Sequence, residues 1–149
     1  MPWAAWPRRA RRSERPVKPY TATTRGVRVT VRAFYLEDQS EPATGQYVWA
    51  YKVEIANDSE VTVQLLKRTW LITDGQGRTM RVHGDGVVGE QPILDPGESF
   101  DYTSGTPLPT PSGFMRGIYH MQVTDTGEAF DALVPPFSLD SPHQEGGVH

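Results

Sequence analysis

The chain has 149 residues, of which 22% are charged and 37% hydrophobic, with no cysteine and a formal net charge of −3. That length supports one domain burying about two-thirds of its unfolded surface, and no apolar run approaches the roughly 20 residues of a membrane span. Without cysteine there is no disulfide, thiolate metal site or cysteine nucleophile, a composition compatible with a reducing, cytoplasmic setting.

The charge is unevenly spread. Arg8, Arg9, Arg11, Arg12, Arg15 and Lys18 face only Glu14, so residues 1–18 carry +5 and the remainder −8. Pro2, Pro7, Pro16 and Pro19, with few aliphatic residues, predict a disordered basic leader over residues 1–19 that lacks the apolar stretch of a secretory signal. An acidic body repels polyanions, which disfavours nucleic acid as a partner of the folded domain.

From Tyr20 the chain reads as short strands between turn clusters. Val27, Val29, Val31, Ala33 and Tyr35 alternate with Arg28, Thr30, Arg32 and Phe34, and Tyr47 to Ile55 repeats the pattern. The turn at Asn57-Asp58-Ser59 leads into a strand over Val61–Thr73, where Leu65 and Leu66 break the alternation and predict a bulge. Asp74-Gly75-Gln76-Gly77 turns the chain into Arg78–Val82. Ser99–Thr103, Ile118–Val123 and Phe130–Val134 complete seven strands, with Ser104-Gly105 read as a turn. Seven strands without a credible helix predict an all-β, fibronectin type III/immunoglobulin-like β-sandwich over residues 20–142, followed by a flexible C-terminus at 143–149. Trp49, Tyr51, Trp70 and Tyr119 are expected to share its core.

Candidate chemistry concentrates at residues 83–92. Gly84, Gly86 and Gly89 spell G-x-G-x-x-G, which in dinucleotide sites leads from a strand to a helix N-terminus that holds pyrophosphate. Pro92 and Pro96 follow too closely for a helix to start here. A helix-free glycine loop can still cradle an anion with backbone N–H groups, and Arg78 and Arg81 lie just upstream. The preferred reading is that the glycines supply positive φ in a tight turn, with Asp85 and Glu90 repelling phosphate. His83, Asp85 and Glu90 form a weak candidate set for a divalent cation, which His120 joins only if the fold brings it near. No G-x-S-x-G elbow or paired carboxylate marks a catalytic centre, and no catalytic residue is assigned. Phe34, Phe114 and Phe137 either form a partner-binding patch or finish the ends of the core, the second being preferred; an open edge strand offers another route to a partner.

Several segments together carry a more specific signal. Thr21 to Val27, Gln64-Leu65-Leu66-Lys67-Arg68-Thr69-Trp70, Gly84 to Pro92, Pro96 to Gly105, Pro109 to Met115 and Val134 to Leu139 resemble the ApaG family in order, from about Tyr20 to Pro142. The resemblance implies a fibronectin type III-like sandwich, an association with cobalt resistance and magnesium efflux, and a gene neighbouring that of a diadenosine tetraphosphate hydrolase. Related eukaryotic domains look like interaction modules. A chain without a membrane span makes no transport path by itself, so any part in efflux is indirect. The expectation is therefore a non-enzymatic, cytoplasmic interaction domain with an unidentified protein partner and no cofactor. The alternative is a small-ligand binder taking a nucleotide polyphosphate or a divalent metal at the glycine loop.

Overall fold

The computed structural model describes residues 18–144, so most of the expected leader and of the expected C-terminal segment lies outside the described residues. Nine strands follow one another: β1 (Tyr20–Thr24), β2 (Val27–Tyr35), β3 (Tyr47–Asn57), β4 (Val63–Asp74), β5 (Thr79–Asp85), β6 (Ile93–Leu94), β7 (Ser99–Leu108), β8 (Gly113–Val123) and β9 (Ala129–Leu139). Two 3-10 turns, Glu37–Gln39 and Pro42–Thr44, interrupt the β2–β3 connection, and no α-helix occurs among the described residues. One antiparallel sheet runs β1-β2-β3-β7 and the other β5-β4-β8-β9, with β6 also paired to β4.

The expected sandwich is present with nine strands rather than seven. β1 is Tyr-Thr-Ala-Thr-Thr and has no apolar alternation; it is held by its register with β2, from Tyr20 opposite Val31 to Thr24 opposite Val27. β6 is only two residues long, fixed by Val63 and Gln64 opposite Leu94 and Ile93. Ser104-Gly105 is not a turn. It lies within β7 opposite Tyr51 and Ala50, and β7 continues to Leu108 along β3.

The two inner faces meet in one core that includes Val29, Val31, Trp49, Tyr51, Val53, Ile55, Leu65, Trp70, Tyr119 and Phe137. Trp70 is its centre, with ring centroids 5.4 Å from Tyr51, 6.2 Å from Tyr119 and 6.1 Å from Phe137. Phe137 is thus a core residue, whereas Phe114 stays exposed.

The bulge expected at Leu65-Leu66 is present as a register shift between Leu65 and Lys67 against β8. Its effect is one of parity. Val63 and Leu65 are buried before it and Trp70 and Ile72 after it, and side chains alternate with a period of two. Without the extra residue, Trp70 would face solvent. On one flank the sheets are tied together: the Leu133 N–H donates to Thr24 Oγ1 at 3.1 Å and the Ser138 N–H to Tyr20 Oη at 3.4 Å, linking β9 to β1. On the other flank β7 and β5 are both sheet edges. The glycine loop lies on that side.

Candidate functional site

The glycine loop leaves the edge of β4 at the bulge. The Gly86 N–H donates to Leu66 O at 2.8 Å, Gln91 Nε2 donates to the same carbonyl at 2.9 Å, and the Leu65 N–H donates to Pro92 O at 3.1 Å. Between these anchors, Val87 and Glu90 exchange two backbone hydrogen bonds of 2.8 Å. They enclose Val88 at φ +43° and Gly89 at φ +81°, the signs of a type I′ turn. Gly84 lies in β5 and only Gly86 and Gly89 lie in the loop. No helix follows Gly89; Pro92 and β6 do. The amides of Gly86, Val87 and Glu90 are spent on Leu66, Glu90 and Val87. The motif here is a closed turn.

Val88 is a strained choice for such a turn, because a β-branched residue at positive φ is an outlier and Asn-Gly is the preferred type I′ pair. Val88→Asn is expected to raise stability by about 0.5–1 kcal/mol, the relief of backbone strain exceeding the loss of a half-buried valine. A thermal melt of the variant checks this, and a lowered midpoint contradicts it.

The cations proposed from sequence do not converge on the loop. Arg78 sits at the far end of β5, where its Nε is 3.3 Å from Asp74 Oδ2 and its Nη2 donates to Gln76 Oε1 at 2.6 Å. Seven strand residues, at roughly 3.3 Å each, separate it from Gly86. Arg81 is exposed opposite Leu71 on the outer face. The arginine that does reach the loop is Arg68, which sequence reasoning passed over. It lies on the inner face, opposite Gly84 and Tyr119, because the bulge shifts parity between Leu65 and Trp70. Counting back two residues from Trp70, once a buried Trp70 is accepted, is the signal that finds it. Its Nη1 donates to Asp85 O at 3.1 Å. A Cβ on Gly84 would stand 2.5 Å from that nitrogen, so the missing side chain is what lets the guanidinium pass.

Arg68 borders a small cavity of about 30 Å³, lined also by Tyr51, Trp70, Val87, Val88, Tyr102 and Ser104. Of these, Tyr102 meets the hydroxyl of Tyr119 with its own at 2.6 Å. Burial drives both phenols well above the usual tyrosine pKa, and the nearby positive charge of Arg68 opposes that rise in each.

The metal candidates are also dispersed. His83, Asp85 and Glu90 are exposed, and no group of three His, Cys, Asp or Glu side chains able to hold a metal occurs among the described residues. Folding does bring His120 to His83, with ring centroids 5.7 Å apart. Both rings are turned onto one hydroxyl: Thr69 Oγ1 lies 2.7 Å from His83 Nδ1 and 2.8 Å from His120 Nε2, and His120 Nδ1 lies 3.0 Å from Asp131 Oδ1. The result is a linear chain across β5, β4, β8 and β9. Its nitrogens meet a hydroxyl and a carboxylate in turn rather than converging on one point. Partial desolvation of the ring by its neighbours, then the charges of Arg81, His120, Lys67 and Arg68, lower the pKa of His83.

Asp131, His120 and Thr69 follow the hydrogen-bond order of an orienter, a base and a nucleophile. Catalysis of that kind also needs N–H donors aimed at a developing oxyanion. Thr69 lies within β4, which is hydrogen-bonded on both sides by β5 and β8, so its backbone amide is spent in the ladder.

The architecture and the site together define a two-sheet antiparallel β-sandwich whose glycine motif closes one flank. The chain belongs to the ApaG domain family, whose model matches residues 37–123. It is similar to Protein ApaG of Paramagnetospirillum magneticum, with 59% identity over 126 residues, covering 85% of this chain and 96% of that protein. Protein ApaG of Rhodospirillum centenum is 61% identical over 124 residues, covering 83% and 95%. Among solved structures, the ApaA protein from Bordetella pertussis matches with a TM-score of 0.75 and 46% identity, over 87% of this chain and all of that one.

Proposed function

We propose that this chain is a cytoplasmic, non-enzymatic interaction module that receives an extended segment of a protein partner along the free edge of β5. The observation that carries this reading is the polarity of that edge. The Gly86 N–H donates to Leu66 O and Arg78 O accepts from the Asp74 N–H, so the even-numbered residues of β5 face β4. In an antiparallel ladder the intervening residues point the other way. The backbone groups of Thr79, Arg81 and His83 and the N–H of Asp85 therefore face outward, and no strand pairs with them among the described residues, while the Asp85 carbonyl is taken by Arg68 Nη1. A row of unpaired N–H and C=O groups is a template for an added strand. Met80, 53% exposed on the same strand, supplies an apolar contact beside it.

This reading also fits the association with cobalt and magnesium that the family resemblance implies. No helix among the described residues is long and apolar enough to cross a membrane. An influence on divalent cations then acts through the partner, such as a transporter or its regulator.

Recovery of partners from cobalt-challenged cells, with the full chain as bait, tests the reading. Arg81→Pro removes one outward N–H and leaves the bonds to β4 in place, since proline is tolerated on sheet edges. It is expected to reduce partner recovery at least tenfold, while Arg81→Ala, which keeps the N–H, retains it. Failure of the wild-type chain to recover a specific partner, or equal recovery by both variants, contradicts the reading.

A further inference from the structure

We propose that the flank between β5 and β7 holds a second site, in which Arg68 and the buried phenol of Tyr102 bind one oxoanion group of a small ligand. The guanidinium of Arg68 carries a permanent charge. It is half-buried, yet among the described residues its hydrogen bond goes to a carbonyl, Asp85 O, and no carboxylate lies within ion-pair distance of it. The other half-buried arginine among the described residues, Arg28, is paired with Asp58 at 2.9 Å. A charge partly withdrawn from water without a counter-ion is costly, and the acidic body offers many carboxylates that this position does not use.

Proton counting at the phenols points the same way. Tyr102 and Tyr119 are buried and share one hydrogen bond. Two hydroxyls contribute two protons and one bond consumes one of them, so one buried O–H still seeks an acceptor. The cavity is lined by a guanidinium, hydroxyls and apolar side chains, with no carboxylate, so the acceptors that line it are the neutral hydroxyls of Tyr51 and Ser104. Its volume of about 30 Å³ is close to the share of one water in the liquid. It admits a single oxygen of a carboxylate or phosphate, and the remainder of the ligand lies outside, against Val88. A carboxylate or phosphate oxygen satisfies both Arg68 and the spare phenolic proton, and charge-assisted bonds of this kind are the strong ones. The site lies on the inner face, apart from the outward amides of β5.

Nuclear magnetic resonance titration of the full chain with inorganic phosphate and, separately, with sodium acetate tests the assignment. The expected result is saturable shifts of the Arg68 Nε–H and of the Val87 and Val88 amides in at least one titration; the responding anion identifies phosphate or carboxylate as the group recognised. Arg68→Gln is expected to weaken binding at least tenfold, and Arg32→Gln, an exposed arginine on β2, to leave it unchanged. If Arg68→Gln fails to fold, Tyr102→Phe replaces it and is expected to weaken binding severalfold. Shifts that rise linearly without saturation for both anions, or equal binding by Arg68→Gln or Tyr102→Phe and the wild type, overturn the proposal.

Discussion

Trp70→Ala is expected to destabilise the fold by about 3–5 kcal/mol, the range for truncating a large buried aromatic, and to lower the melting midpoint by roughly 10–15 °C. Trp70 is 4% exposed and its ring contacts Tyr51, Tyr119 and Phe137. These three come from β3, β8 and β9, each pinned by its own ladder, so the space left by the indole does not collapse. Gly117 is shaped around the same ring: a Cβ there would lie 2.6 Å from Trp70 Cε3. Nothing on that side can fill the void. Trp70→Phe keeps part of the ring contact and is expected to cost less than half as much. Denaturant titrations with unchanged slopes report the two values directly; equal costs for Ala and Phe contradict the account of the core.

Gly86→Ala is the second large effect, at about 2–3 kcal/mol. Two penalties combine at this residue. Its φ is +63°, a region where a side chain is strained, and a Cβ would collide with Glu90 O. That carbonyl accepts the Val87 N–H and so belongs to the turn itself. Gly89 separates the two penalties: its φ is +81°, yet a Cβ there meets nothing within 4 Å. Gly89→Ala is therefore expected to cost only about 1 kcal/mol. A pyrophosphate-cradling loop would show the opposite emphasis, with large losses of ligand affinity and small losses of stability. The order of the two melting shifts distinguishes a turn built for closure from one built for binding.

The strands that could be read from sequence were those with one buried and one wet face. Val27 to Tyr35 and Tyr47 to Ile55 alternate because β2 and β3 present inner faces to the core. β1 left no such trace: its threonines lie at a sheet edge, and its position comes from pairing with β2. The second half of β7 was hidden for a related reason. Ser104, Gly105 and Pro107 are turn formers by local preference, but β7 is an edge strand, where a proline opposite Val48 costs little. The glycine loop was legible as a tight turn without a following helix. Its cation was not. Arg68 looked like one basic residue in Lys67-Arg68, and only the parity change at Leu66 turns its side chain inward while Lys67 stays exposed. The meeting of His83 with His120 through Thr69 depends on three strands being neighbours, a fact no local pattern contains.

Amide hydrogen exchange along β5, followed residue by residue in the free protein and with its captured partner, tests the free edge most directly. The free protein should show fast exchange at Arg81, His83 and Asp85 and slow exchange at Val82, Gly84 and Gly86, with the first three becoming protected when the partner binds. Uniform protection along β5 in the isolated chain, or no gain at the odd-numbered amides in the complex, would mean that this edge is not where a partner is received.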